Sequence, residues 1–189
     1  MSFLNHKLYI RHIDTYVDPV DPVDRAIITH GHADHARYGH KVVYATPETV
    51  AIMKTRYGEN CAEKFVEVPC RQEFDIDDVT FTFYPAGHIL GSAQVLMEYK
   101  GERIVVTGDY KRGSDPTCED FEVVGCDILV TEATFALPVF QHPDPRDEIQ
   151  KLLKSIERNP DRAHLVGAYA LGKAQRVIKL LREAGYDKT

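Results

Sequence analysis

The sequence predicts a layered α/β protein, and two patterns carry that prediction. Short β-branched and aromatic runs dominate the first two thirds of the chain, and apolar runs alternate with amphipathic helical patterns in the last third. Residues 7–13 and 15–17 read as strands ahead of the turn-rich stretch DPVDPVD. RAIIT, residues 25–29, is a short apolar run that reads as a buried strand, and residues 42–45 form another. Pro47 then opens a helix that extends to about residue 56, proline being suited to a first turn. VTFTFY, residues 79–84, is β-branched and aromatic, hence a strand. Residues 93–99 and 103–107 flank Gly101 as the arms of a hairpin, and residues 127–131 form a further buried strand. Residues 145–158 place Ile149, Leu152, Leu153 and Ile156 on one helical face, and residues 174–184 do the same with Val177, Ile178, Leu180 and Leu181. Residues 164–168, between these helices, read as a strand.

The composition bounds the class. With 189 residues, 43% hydrophobic and 28% charged, the chain is an ordinary globular sequence with enough length for a full core. No apolar run reaches the length of a membrane span, and MSFLNHKLYIRH has neither the apolar stretch nor the cleavage site of a signal peptide. Cys61, Cys70, Cys118 and Cys126 form no CxxC pair and suggest neither a zinc ribbon nor a disulfide framework. The expectation is a cytoplasmic protein with reduced thiols and no membrane partner. A net charge of −6 argues against a general nucleic-acid coat protein but not against a nuclease, because bound divalent cations would supply local positive charge.

The strongest local signal is His30-Gly31-His32-Ala33-Asp34-His35, three imidazoles and a carboxylate directly after an apolar strand. Imidazole nitrogen and carboxylate oxygen suit zinc and neighbouring divalent metals. Gly31 and Ala33 are small, which permits a tight turn and convergence of alternate side chains. His30 and His32 can serve one metal, with Asp34 and His35 serving a second. The bland alternative, a polar loop with chance histidines, fits one histidine better than three. Two further ligand types end apolar strands just after a glycine: His88 in VTFTFYPAGH and Asp109 in RIVVTGD. Each alone reads as a hydrogen-bonded histidine or a turn aspartate; their weight comes from the first motif.

HxHxDH, a later lone histidine and then an aspartate, each after a strand, resemble the metal signature of the metallo-β-lactamase superfamily. AGHILGSAQ, TEATF and GAYALGKAQ resemble segments of its β-CASP nuclease branch. With TGDYKRGSDPTCEDFE and LPVFQHPDP, the chain resembles the bacterial DNA ligase-associated exonucleases. The resemblance implies an αββα sandwich with a two-metal site, the ions being zinc or manganese. His30, His32 and His88 would bind one ion, Asp34 and His35 the other, and Asp109 would bridge them. It implies that residues 1–165 are the metallo-β-lactamase-like part and 166–189 the start of a cap, β-CASP-like or C-terminal region. The family supplies a last metal-binding histidine from a later region, and neither His142 nor His164 sits in a matching segment. A C-terminally truncated chain, its second metal short of one ligand, is therefore expected.

The function so implied is a metal-dependent phosphodiesterase: a DNA exonuclease in repair, with nucleic acid as substrate and a DNA ligase and helicase as partners. Asp34, Asp109 and Glu132 form the expected catalytic set, with in-line attack by a hydroxide held between the metals. Glu132 would place a proton donor or brace a ligand histidine, or simply form a salt bridge. Lys111 and Arg112 would hold a substrate phosphate, or form a solvated loop. His6 and His12 read as surface groups and His40 as a loop residue. Tyr38 and Tyr110 are candidates for base stacking, although core and interface roles are commoner for tyrosine. The rival readings are a lactonase- or thioesterase-like hydrolase of the same fold, and a non-catalytic scaffold in a repair complex.

Overall fold

The structure, a computed structural model, describes residues 2–187. The chain forms two compact units, the first ending at Glu132 and the second beginning at Ala133. The first unit holds two five-stranded sheets. One has the order β1 (Tyr9–Ile10), β2 (Thr15–Val17), β3 (Arg25–Ile27), β4 (His40–Ala45) and β5 (Ala62–Glu67). In it β1 is antiparallel to β2 and the other neighbours are parallel. The second sheet runs β10 (Ile128–Val130), β9 (Glu102–Val106), β8 (Ala93–Tyr99), β7 (Val79–Pro85) and β6 (Glu73–Ile76). It is antiparallel except for β10, which lies parallel to β9.

Period-two patterning builds the core between the sheets. Phe81 and Phe83 of β7, Val95 and Met97 of β8, and Ile104 and Val106 of β9 meet Ile10, Val17 and Ile27 of the first sheet. Phe81 and Phe83 are fully buried, and truncating either to alanine costs about 3–5 kcal/mol. Helix α1 (Pro47–Tyr57) covers the other face of the first sheet, where Val50 and Met53 pack with Ala26, Ile28, Val43 and Ala45. Thr46 caps it by accepting from the Thr49 N–H, and Pro47 occupies the first turn as expected. Helix, sheet and sheet are layers of the αββα sandwich that the resemblance implied. No helix among the described residues is long and apolar enough to cross a membrane.

The second unit contains α2 (Pro145–Arg158), capped by Asp144, and α3 (Lys173–Glu183). Ile149 and Leu180 are their buried residues.

Four local expectations are corrected. The strand at Ile128–Val130 lies at a sheet edge with Leu129 56% exposed and is not a buried one. Residues 7–13 do not form one strand: β1 is two residues long and Arg11–Ile13 is a 3-10 turn closed by left-handed Asp14. Residues 164–168 are irregular rather than a strand, and Leu165 is 96% exposed; a short apolar run makes no strand without a ladder to join. His40 is not in a loop. It starts β4, is buried, and its Nδ1 accepts the Val23 N–H. Strands β5 and β6, both at sheet edges, escaped the sequence reading because AEKFVE is charged at three of six positions without regular alternation and EFDI is only four residues long.

Candidate metal centre

Three expected ligands occupy equivalent positions: His30, His88 and Asp109 are each the third residue beyond a strand, after β3, β7 and β9 respectively. A hydrogen bond from the Ala93 N–H to the Thr29 carbonyl ties the two sheets at this edge. Glycines permit the close approach. Gly108, at φ +54°, stands where an added Cβ would lie 2.7 Å from Thr29 Oγ1. At Gly87, φ +70°, a Cβ would meet the Lys111 carbonyl oxygen at 2.4 Å. Ser92 Oγ accepts from the N–H groups of His88 and Ile89 and fixes the His88 turn. Gly31 matters for packing rather than for a positive φ: a Cβ there would lie 2.7 Å from Ile52 of α1.

His30 Nε2, His32 Nδ1, His88 Nε2 and an Asp109 oxygen all lie within 4.8 Å of one another. The separations are 3.1 Å from His30 to His32, 3.2 Å from His32 to His88, 3.6 Å from His88 to Asp109, and 3.8 Å from His30 to Asp109. Four ligands on bonds of about 2.0–2.2 Å around a tetrahedral ion would stand roughly 3.3–3.6 Å apart. A ring nitrogen carries one proton or one lone pair, so His32 Nδ1 cannot bond both imidazoles at full strength. A cation satisfies all three lone pairs at once, so this donor set fits a divalent metal.

Electrostatics keep the rings ready for it. Burial, reinforced by the neighbouring imidazoles, pushes the pKa of His30 down to about 2. Burial also lowers that of His88, against the pull of Asp109. His35 behaves oppositely. Burial lowers its pKa, but the hydrogen bond and charge of Asp18, joined by the charges of Asp109 and Asp34, outweigh burial and raise it.

Asp18 is the residue that the sequence reading missed. Its Oδ2 lies 2.8 Å from His35 Nδ1, and its two oxygens also accept from the N–H and hydroxyl of Thr29. Asp18, His30 and His35 form a second ligand-type cluster. The bonds to Asp18 and to Thr29 Oγ1 occupy Nδ1 of His35 and Nδ1 of His30, so Asp18 acts as an orienting carboxylate. That leaves His35 Nε2 facing Asp109 Oδ1 at 3.5 Å and Asp34 Oδ2 at 3.9 Å. Its signal was an acidic residue directly after the TYV strand, masked by the turn-like repeat DPVDPVD.

Other expected residues are placed differently. Asp34 is 76% exposed at the rim. Glu132 lies within electrostatic reach of His88 and favours its protonated form. Lys111 does not point free: Nζ pairs with the buried Asp115 at 3.0 Å and donates to the Ser114 carbonyl. Arg112 is exposed. Tyr110 packs against Phe121, whereas Tyr38 is 62% exposed.

Comparison with known proteins places this geometry in a family. Residues 4–166 match the model of the β-lactamase superfamily domain. An RNase J-like protein of Methanocaldococcus jannaschii is 26% identical over 84% of this chain and 43% of its own length. A probable DNA ligase of Opitutus terrae is 27% identical over 95% of this chain and 18% of its own. This chain thus spans less than half the length of either relative. A crystal structure of a protein of unknown function from Enterococcus faecalis superposes with a TM-score of 0.58 at 16% identity, covering 83% of this chain and 44% of that one, which supports the fold. The histidine-rich turn at the sheet edge and the match across residues 4–166 lead to one assignment: the chain belongs to the metallo-β-lactamase superfamily, on its β-CASP-like side.

Proposed function

We propose that this chain carries the metal-binding part of a phosphodiesterase acting on nucleic acid and, more finely, that of a DNA exonuclease in a repair system with a DNA ligase and helicase. One observation carries the reading: four ligand atoms from three separate turns converge within 4.8 Å at one sheet edge. The likeness to an RNase J-like protein and to a probable DNA ligase supports a nucleic-acid substrate.

His30, His32, His88 and Asp109 would hold one divalent ion, and His35, Asp34 and the second oxygen of Asp109 would face another. The nitrogen and oxygen set suits zinc or manganese. Such ions supply water activated at neutral pH and a positive clamp on phosphate oxygens. Asp18 sets the tautomer and direction of His35. Glu132, within reach of His88, would hold a proton near the departing oxygen. Arg112 would meet a substrate phosphate, while Lys111 braces its own turn through Asp115.

The test is metal-loaded protein with end-labelled DNA, end-labelled RNA and a panel of carboxylic esters. The expected result is metal-dependent shortening of DNA, absent in Asp109→Ala at unchanged circular dichroism. Ester turnover without cleavage of either polymer would refute the reading. Preferential cleavage of RNA would establish the second reading, a ribonuclease, which the RNase J-like relative favours.

A further inference from the structure

Beside the histidine-rich turn lies a group of aromatic and cationic side chains that the metal centre does not use. Tyr38, three residues after His35 and so within about 11 Å of it between Cα atoms, presents a ring 62% exposed. That ring packs on Tyr57, the last residue of α1, with centroids 5.2 Å apart at 50°. The Arg56 guanidinium lies over Tyr57 at 5.5 Å and donates to the Gly31 carbonyl, inside the metal-binding turn itself. Two backbone bonds pin the segment: Arg37 N–H to the His35 carbonyl, and Gly39 N–H to the Cys61 carbonyl.

The charges here are uncompensated. Arg25, Arg71 and Arg103 each pair with a carboxylate in the first unit. Arg37 and Arg56 form no ion pair among the described residues, in a chain of net charge −6. An exposed, preoriented ring beside unpaired guanidinium groups is what stacking on a base and contact with a phosphate require.

We propose that Tyr38, backed by Tyr57, is a base-stacking platform for a single-stranded nucleic acid, with Arg37 and Arg56 attracting its backbone near the metal centre. This rests on the nucleic-acid reading and deepens it. Stacking on an aromatic face is sequence-tolerant, so the platform positions a strand rather than reading it. Tyr38 is a positioning residue, and its hydroxyl plays no part.

The experiment measures fluorescence anisotropy of labelled dT12 and U12 with the full chain in EDTA, so that binding is read apart from any metal-dependent turnover. Tyr38→Ala is expected to weaken binding about tenfold, within the range of one lost base–aromatic stack, while Tyr38→Phe stays within about twofold of the parent. A metal-loaded control follows dimethyl phosphate, which has no aromatic ring to stack; its hydrolysis is expected to be the same in all three proteins. Equal oligonucleotide affinity in Tyr38→Ala and parent, or an equal loss in Tyr38→Phe, overturns the platform. So does a parent chain that binds neither oligonucleotide yet hydrolyses the small diester, and that outcome leaves phosphodiesterase chemistry standing. Ester turnover with neither diester cleavage nor oligonucleotide binding overturns the functional reading and the platform with it. Preference for dT12 or U12 distinguishes the two polymers.

Discussion

On one side of Asp109, His30, His32 and His88 aim ring nitrogens at a common point, and two of those three rings are held unprotonated chiefly by burial. On the other side His35 alone is firmly oriented, by Asp18, and Asp34 stands 76% exposed. The first side is built from turns that follow strands of both sheets. The second is built from one turn and one carboxylate beneath it. Convergence from separate, rigid strand ends gives a preformed donor set; a single turn supplies direction but fewer ligands. Affinity for the first ion should therefore exceed affinity for the second.

The largest effect should follow Asp109→Ala, which removes an oxygen from both sides. Zinc affinity should fall at least about a hundredfold, beyond the roughly 10–100-fold loss for an orienting residue, and calorimetric titration checks this. A variant that kept both binding phases would break the comparison. Asp18→Asn should cost about 10–100-fold, mostly in the weaker phase, because His35 bonds Asp18 directly whereas His30 reaches it only through Thr29 Oγ1. If the tighter phase weakens equally, the two sides are not separable. Asp34→Asn should cost less than about tenfold, as expected of a mostly exposed side chain 3.9 Å from His35 Nε2.

Acid should discriminate between the sides as well. A histidine binds metal only when neutral, so a raised pKa brings proton competition in at higher pH. His35 is raised by Asp18, whereas His88 is lowered by burial and His30 lies at about 2. As pH falls, the weaker phase should be lost first and the tighter one later. Titrations repeated across pH 5–8 would show it, and simultaneous loss would contradict it.

The better-furnished side was legible in the sequence because its ligands obey a local rule: an apolar strand, a small residue, then a histidine or aspartate. His88 and Asp109 follow it through Gly87 and Gly108, His30 opens its cluster directly after RAIIT, and tertiary structure brings the three strand ends together. Asp18 obeyed no such rule. It sits in a proline-punctuated acidic stretch, and its partner His35 lies 17 residues on, so a turn was the simpler reading. Lys111 shows the converse. Its position after Asp109 suggested a phosphate contact, but Asp115, four residues later, takes its ammonium group. The two-sheet core was readable from alternation in β7 and β8, whereas the short β1 and the charged edge strands were not, because their pairing depends on neighbours.

The most direct test of the converging donor set is equilibrium dialysis of the purified chain against micromolar zinc, followed by elemental analysis beside His88→Ala. The account predicts at least one tightly held zinc per parent chain and loss of that ion in His88→Ala, with circular dichroism unchanged. A parent chain that retains no divalent metal, or a variant that retains as much as the parent, would contradict it.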